Sequence, residues 1–282
     1  MPELPEVETV VRDLRPLLVG RTIAGVEVGE RKLRRPWNAA WGPTLVGRTF
    51  TLARRRGKWI ILELDDDRRL VVHLGMTGQF TVADAASERP DHLHLTFGLI
   101  GGDVELRYRD IRRFGSVELF SDEATVVAYL GAKLGPEPFD IPAEPFAASL
   151  QGSTRNLKAL LLDQGIVAGV GNIYADEALF LAKLHPTTRG CDLTAKQVTT
   201  LRKAIPVVIL KAVEGRGSTI RDYVGGSGLR GEYQNELAAY GRTGEPCLRC
   251  GVSIAMLRVA GRSSHFCPKC QKPFRTPNEP NA

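Results

Sequence analysis

Apolar positions recur at three- and four-residue spacing near the start of the chain. Val7, Val10, Val11, Leu14, Leu17 and Leu18 fall on one stripe, which predicts an amphipathic helix over residues 6–18. Pro5 suits the first turn of that helix, the early glutamates suit its positive end, and Gly20 follows its last turn. Short β-branched or aromatic runs come next, at 23–28, 49–53, 59–64, 70–74, 93–97, 104–108 and 116–120, separated by Gly, Asp and Arg clusters. Many short strands at close spacing predict a β-sandwich, closed by a helix over 122–130. Four prolines between residues 135 and 145 mark a linker. Beyond it the period changes, and helices are predicted over 154–164, 174–183, 194–214 and 231–240. A glycine-rich loop precedes the last of these.

The fold class is therefore multidomain α+β, an N-terminal helix plus β-sandwich followed by a helical domain. The expected boundaries are 1–131 for the first domain, 132–150 for the linker, 151–240 for the helical domain, 241–275 for a cysteine module and 276–282 for a polar tail. Hydrophobic residues make up 43% of the 282, enough for packed cores and too much for a disordered chain. No apolar run approaches the roughly 18 residues of a spanning helix. Glu3, Glu6 and Glu8 stand where a signal peptide would be basic, so the expected location is cytoplasmic.

The formal net charge is +6. A basic balance favours phosphate-bearing partners, because Lys and Arg contacts release condensed counterions. The charge gathers in three places: Arg31, Lys32, Arg34 and Arg35; Arg54, Arg55, Arg56 and Lys58; Arg107, Arg109, Arg112 and Arg113. On charge alone, a basic groove and scattered solvated faces are equally good readings.

Four of the five cysteines lie in two C-x-x-C pairs, Cys247/Cys250 and Cys267/Cys270, with sixteen residues between the pairs. In a cytosolic chain this spacing predicts a tetrahedral Zn2+ site rather than disulfides. All four positions are thiolates, so the ion is expected to be structural. The intervening segment is long enough for a hairpin, with its turn expected at Ala260-Gly261-Arg262-Ser263. His265 is read as a surface residue.

The N-terminal Pro2-Glu3-Leu4-Pro5-Glu6-Val7-Glu8 is unusual for a plain helix lead-in. Further along stand Gly57-Lys58-Trp59, His73-Leu74-Gly75-Met76-Thr77-Gly78, Arg112-Arg113-Phe114-Gly115, Val170-Gly171-Asn172-Ile173-Tyr174-Ala175 and Tyr240-Gly241-Arg242 before the cysteines. Taken in this order and over nearly the whole length, they make the chain resemble the bacterial formamidopyrimidine-DNA glycosylases. The resemblance implies excision of oxidised purines, 8-oxoguanine and formamidopyrimidines, from double-stranded DNA, followed by β,δ-elimination at the abasic site, by a monomer.

Removal of Met1 would leave Pro2 with a secondary amine, whose attack on a sugar C1′ gives an iminium ion, an electron sink that needs no proton. The adjacent helix N-terminus disfavours a cation there and should lower the amine's pKa. The resemblance assigns ring opening to Glu3, proton transfer and phosphate contact to Lys58, and a phosphate clamp in the second elimination to Arg262. It assigns phosphate contacts to His92, Arg112 and Asn172, with Arg155 or Lys158 supplying a further charge. Met76, Arg112 and Phe114 match the side chains that fill the void left by a flipped base. Residues 157–163, the turn through Gly169 and Gly171, and residues 174–182 resemble a helix–two-turn–helix. Residues 217–231 match the loop that closes over the extruded base. Asp110-Ile111 departs from a common Asp-Pro, a change in a turn. An endonuclease VIII-like glycosylase for oxidised pyrimidines and a catalytically inactive lesion-binding protein are the competing readings. Leu4 and the Arg112/Phe114 pair argue against the first. The joint presence of Pro2, Glu3 and Lys58 argues against the second.

Overall fold

The computed structural model describes residues 2–219 and 224–273. Met1, residues 220–223 within the expected 217–231 loop, and the end of the chain from 274, which holds the expected polar tail, lie outside the described residues. The chain divides into two compact units, residues 1–133 with 212–234, and residues 134–211 with 235–282.

The first unit begins with α1 (Leu4–Leu18) and continues through β1 (Ile23–Val28), the short α2 (Trp41–Leu45), β2 (Phe50–Arg56), β3 (Trp59–Leu64), β4 (Arg69–His73), β5 (Gly78–Asp84), β6 (Leu93–Leu99), β7 (Val104–Asp110), β8 (Ser116–Phe120) and α3 (Glu123–Gly131). The strands form two four-stranded sheets, ordered β1-β6-β7-β5 and β2-β3-β4-β8. Every pairing is antiparallel. Val7, Val10, Val11, Leu14 and Leu18 of α1 are fully buried in one cluster with Ile60 and Leu62 of one sheet and Phe80, Phe97 and Leu106 of the other. Burying a side chain of this size contributes about 1.5–3 kcal/mol, so this shared core fixes α1 on the sandwich. Strand β5 has no counterpart among the apolar runs of the sequence. It is an edge strand in which polar Gln79 and Thr81 flank Phe80, its one large fully buried side chain. Such a strand is specified by its partner β7 rather than by a β-branched run.

The second unit holds α4 (Ala143–Gln151), α5 (Leu157–Leu162), α6 (Asn172–Ala182) and most of α7 (Ala195–Glu214), then β9 (Ala255–Val259) paired with β10 (Arg262–Phe266). Helix α4 starts within the proline-rich stretch and packs Phe146 and Leu150 inward. The helix expected at 231–240 is a single 3-10 turn, Tyr233–Glu236. The described residues 212–219 and 224–234 belong to the first unit, where Arg216, Ser218 and Ser227 bond to carboxylates of α1. Among the described residues no helix is long and apolar enough to cross a membrane.

Candidate functional site

Pro2 and Glu3 are both buried at the head of α1. Glu3 caps the helix reciprocally with Glu6, and its backbone N–H donates to Glu6 Oε2 at 2.8 Å. The other Glu6 oxygen accepts the Ser218 backbone N–H at 2.7 Å. Gly217 precedes it at φ +75°, and a Cβ there would crowd the Glu6 side chain. Further along α1, Asp13 accepts from Arg216 Nη2 at 2.8 and 3.0 Å and from the Ser227 hydroxyl at 2.8 Å. Both described limbs of the 217–231 stretch thus rest on α1.

Lys58 follows Gly57, whose φ of +55° makes the tight β2–β3 turn. It is 6% exposed, so it is not a solvated surface charge. Arg55 sets this turn against α1. Its Nε donates to Glu8 Oε2 at 3.0 Å and its Nη1 to the Gly57 carbonyl at 3.1 Å. Arg15 of α1 adds a bond to the Ala53 carbonyl at 3.1 Å. Behind the turn, the His73 ring lies 4.7 Å from Trp59. Burial, then the charges of Lys58 and Arg35, hold the His73 pKa down to about 4 against a smaller opposing pull from Asp110. The neutral ring uses Nδ1 to accept the Gly75 N–H at 3.1 Å.

The β4–β5 and β7–β8 connections both cross between the two sheets, and they do so side by side. Gly78 pairs with Asp110 and His73 with Ser116. Asp110 is fully buried and clamps both connections. It accepts from the Thr77 hydroxyl at 2.6 Å, the Arg112 N–H at 3.2 Å and the Gly115 N–H at 2.8 Å. Gly75 and Gly115 meet backbone to backbone, with no room for a Cβ on either. This corner brings Met76 together with Arg112 and Phe114. The Arg112 guanidinium lies 4.7 Å from the Phe114 ring centre, and that of Arg34 lies at 4.0 Å. His92 belongs to the same corner, since its carbonyl accepts the Asp110 N–H at 3.1 Å. Thr77, Asp110 and Arg34 are members of the corner that sequence reasoning misses. The one available signal is Asp110-Ile111, the dipeptide directly before the Arg-x-Phe segment.

In the second unit Asn172 opens α6 after Gly171, and its side-chain nitrogen reaches Ser263 Oγ at 3.4 Å. The helix start and the Arg262 hairpin are thereby brought together. Arg262 is exposed and is the first residue of β10. The two central turn residues are Ala260 and Gly261, at φ +49° and +72°, one position earlier than expected. A two-residue turn with both φ values positive matches the twist of the strands, and this sets the register. Arg155 is exposed and pairs with Asp163 at 2.8 Å.

Two residues need correction. Lys158 does not present a charge for DNA: its side chain is fully buried, and its Nζ donates to Asp176 Oδ1 at 2.6 Å and to the Asn172 carbonyl at 2.7 Å. His265 is not at the surface. It is 8% exposed, and its backbone N–H and Nδ1 both bond to Asp176 Oδ2, at 2.9 and 3.0 Å. The next residue of α6, Glu177, accepts the backbone N–H groups of Ala238, Ala239 and Tyr240. Burial raises the Glu177 pKa despite those three bonds. The signal for both acids is a pair of carboxylates inside an otherwise apolar helical segment.

The four cysteine sulfurs all lie within 4.8 Å of one another. The Cys250 and Cys267 sulfurs are 3.5 Å apart, close to the edge of about 3.8 Å that a ZnS4 tetrahedron with 2.3 Å bonds requires. The Arg249 and Cys270 N–H groups donate to Cys247 and Cys267 Sγ, each at 3.4 Å, as in metal-binding knuckles. The donor set suits one structural Zn2+.

Three family models match the chain: the formamidopyrimidine-DNA glycosylase N-terminal domain over residues 1–117, the formamidopyrimidine-DNA glycosylase H2TH domain over 134–224, and the zinc finger found in FPG and IleRS over 244–273. A formamidopyrimidine-DNA glycosylase of Lactococcus lactis subsp. cremoris is 42% identical over 277 residues, covering 96% of this chain and 100% of that protein. The solved complex of the Lactococcus lactis protein with DNA containing an abasic site superposes with a TM-score of 0.88 at 41% identity, covering 96% of this chain and 99% of that one. MutM in complex with DNA carrying carbocyclic 8-oxo-G gives the same TM-score and identity over 96% and 100% of the two chains. The chain belongs to the formamidopyrimidine-DNA glycosylase family.

Proposed function

We propose that this protein excises oxidised purines from duplex DNA with the amine of Pro2 and then cleaves the strand at the resulting abasic site. The observation that carries the reading is the joint seating of Pro2, Glu3 and Lys58. Pro2 and Glu3 head α1, and Arg55 ties the turn of buried Lys58 to that same helix. Attack of the Pro2 nitrogen on C1′ expels the base and leaves an iminium, which then drains electrons from the sugar through β- and δ-elimination. Glu3 supplies the acid for ring opening, and Lys58 moves a proton and holds phosphate. The corner of Met76, Arg112 and Phe114 fills the vacated stack, and His92 holds the backbone beside it. Asn172 and Arg262 clamp phosphate from the second unit, with Arg155 as a further contact. The zinc holds the hairpin that carries Arg262 and takes no part in the chemistry. We further read the protein as a monomer acting in the bacterial cytoplasm.

Borohydride trapping on a duplex carrying 8-oxoguanine tests this. The expected product is a covalent adduct whose linked peptide begins at Pro2. An adduct at an internal lysine would overturn the assignment, and a preference for an oxidised pyrimidine would favour the endonuclease VIII-like alternative.

A further inference from the structure

Helix α6 buries almost every side chain it carries, yet Asp176 and Glu177 stand together in its middle. Glu177 is occupied by the chain approaching the zinc module. Asp176 is different, because its two oxygens face two separate elements. Oδ1 holds the Lys158 ammonium of α5, and Oδ2 holds both the backbone N–H and the ring of His265 in β10. Both side chains of the Lys158–Asp176 pair are 0% exposed.

Stability does not account for such a pair. A buried ion pair can commonly be replaced by apolar residues of similar volume with no loss, because desolvation offsets the attraction. What it provides is direction: each oxygen accepts from fixed donors, so three elements are locked in orientation. The same Lys158 ammonium donates to the Asn172 carbonyl, and Asn172 reaches Ser263, the neighbour of Arg262. Arg262 lies three residues from His265 along β10, about 10 Å at the usual strand rise. The start of α6 and the hairpin are thus joined by the Asn172–Ser263 bond and, behind it, by the one carboxylate of Asp176.

We propose that Asp176 is a positioning residue for strand cleavage: without touching DNA, it sets Asn172 and Arg262 in a common frame around the phosphate. This rests on the reading of those two residues as phosphate contacts. Misplacement by about 1 Å of a group that holds a reacting segment can cost as much as about 100-fold in rate. The effect should fall on the eliminations, which need the phosphate held after the base has left.

The test compares single-turnover base release and strand cleavage on an 8-oxoguanine duplex for Asp176→Asn, Arg262→Ala and the double variant, with zinc content measured on each. Asp176→Asn keeps the volume but offers the three donors a single acceptor oxygen. Strand cleavage should slow about 10- to 100-fold while base release stays within about threefold and one zinc is retained. The double variant should cleave no more slowly than Arg262→Ala alone. If Arg262→Ala slows cleavage selectively and Asp176→Asn does not, or if Asp176→Asn slows both steps alike, positioning by Asp176 is wrong. If Arg262→Ala itself shows no selectivity, the phosphate clamp is wrong and the proposal falls with it. Should Asp176→Asn lose zinc or unfold, His265→Phe decides, since it keeps the ring's bulk and removes its bond to Asp176. A selective slowing of cleavage then supports the proposal, and wild-type rates overturn it.

Discussion

Replacing Asp110 with Asn should loosen the corner that carries Met76, Arg112 and Phe114. The carboxylate accepts three bonds, from the Thr77 hydroxyl and from the Arg112 and Gly115 N–H groups, with no exposure to water. An amide keeps one acceptor oxygen. Whichever way it is turned, its NH2 group faces one of the two backbone N–H donors. A bond to a charged acceptor is worth about 1.5–3 kcal/mol, and a neutral one about half that. Losing one such bond and weakening the other two by about 1 kcal/mol each gives a cost of about 3–5 kcal/mol. For a unit of this size that is a fall of roughly 6–20 °C in melting temperature, measurable by calorimetry. Discrimination between an abasic-site duplex and an undamaged one should fall about tenfold, read from binding titrations, because the side chains proposed to fill the vacated stack lose their fixed backbone. A melt within about 2 °C of wild type, with discrimination intact, would refute the reasoning.

Cys247→Ser should lose the metal and weaken DNA binding, and full affinity in a zinc-free variant would show that the finger is dispensable. His73 titrates at about 4 when folded, below its ordinary value of 6.5, so the unfolded chain takes up the proton first. Its contribution is complete above about pH 6.5 and is lost as pH falls toward about 4, at most about 3 kcal/mol. Urea midpoints measured from pH 7 to 4.5 should fall less steeply for His73→Gln, and equal slopes would exclude His73 as the cause. Lys158→Met should cost about 3–5 kcal/mol by stranding the Asp176 charge, and adding Asp176→Leu should recover only part of it, because the His265 N–H then loses its acceptor. If the single variant melts like wild type, the ion pair has been misread.

Features governed by local chemistry are legible in the amino-acid sequence itself. The stripe of α1, the metal knuckles and most strands follow from spacing alone, while the Pro-Glu start and the Arg-x-Phe are carried by resemblance. What escapes depends on partners distant in sequence. Lys158 is a lysine in an otherwise apolar run, and only the approach of Asp176, eighteen residues on, turns it inward. His265 beside two cysteines reads as solvated for the same reason. Strand β5 takes its order from β7, and the hairpin register depends on two positive φ values, one of them at an alanine. In the sequence Asp110 stands out only for the residue after it, because Thr77, the partner that ties it to the other connection, lies 33 residues away.

The paired crossings also imply an order of assembly. The β2–β3, β3–β4 and β6–β7 ladders join neighbouring strands and close small loops. The corner needs contacts between chain segments 33 residues apart, as in the Thr77–Asp110 bond, and it needs β4–β8 and β5–β7 to be paired together. Loop-closure entropy places such contacts after the local ones. During synthesis the segment holding Met76 emerges well before the one holding Phe114. The two meet only when β4–β8 and β5–β7 are both paired, so a half-folded chain holds Met76, Arg112 and Phe114 without the corner that sets them side by side.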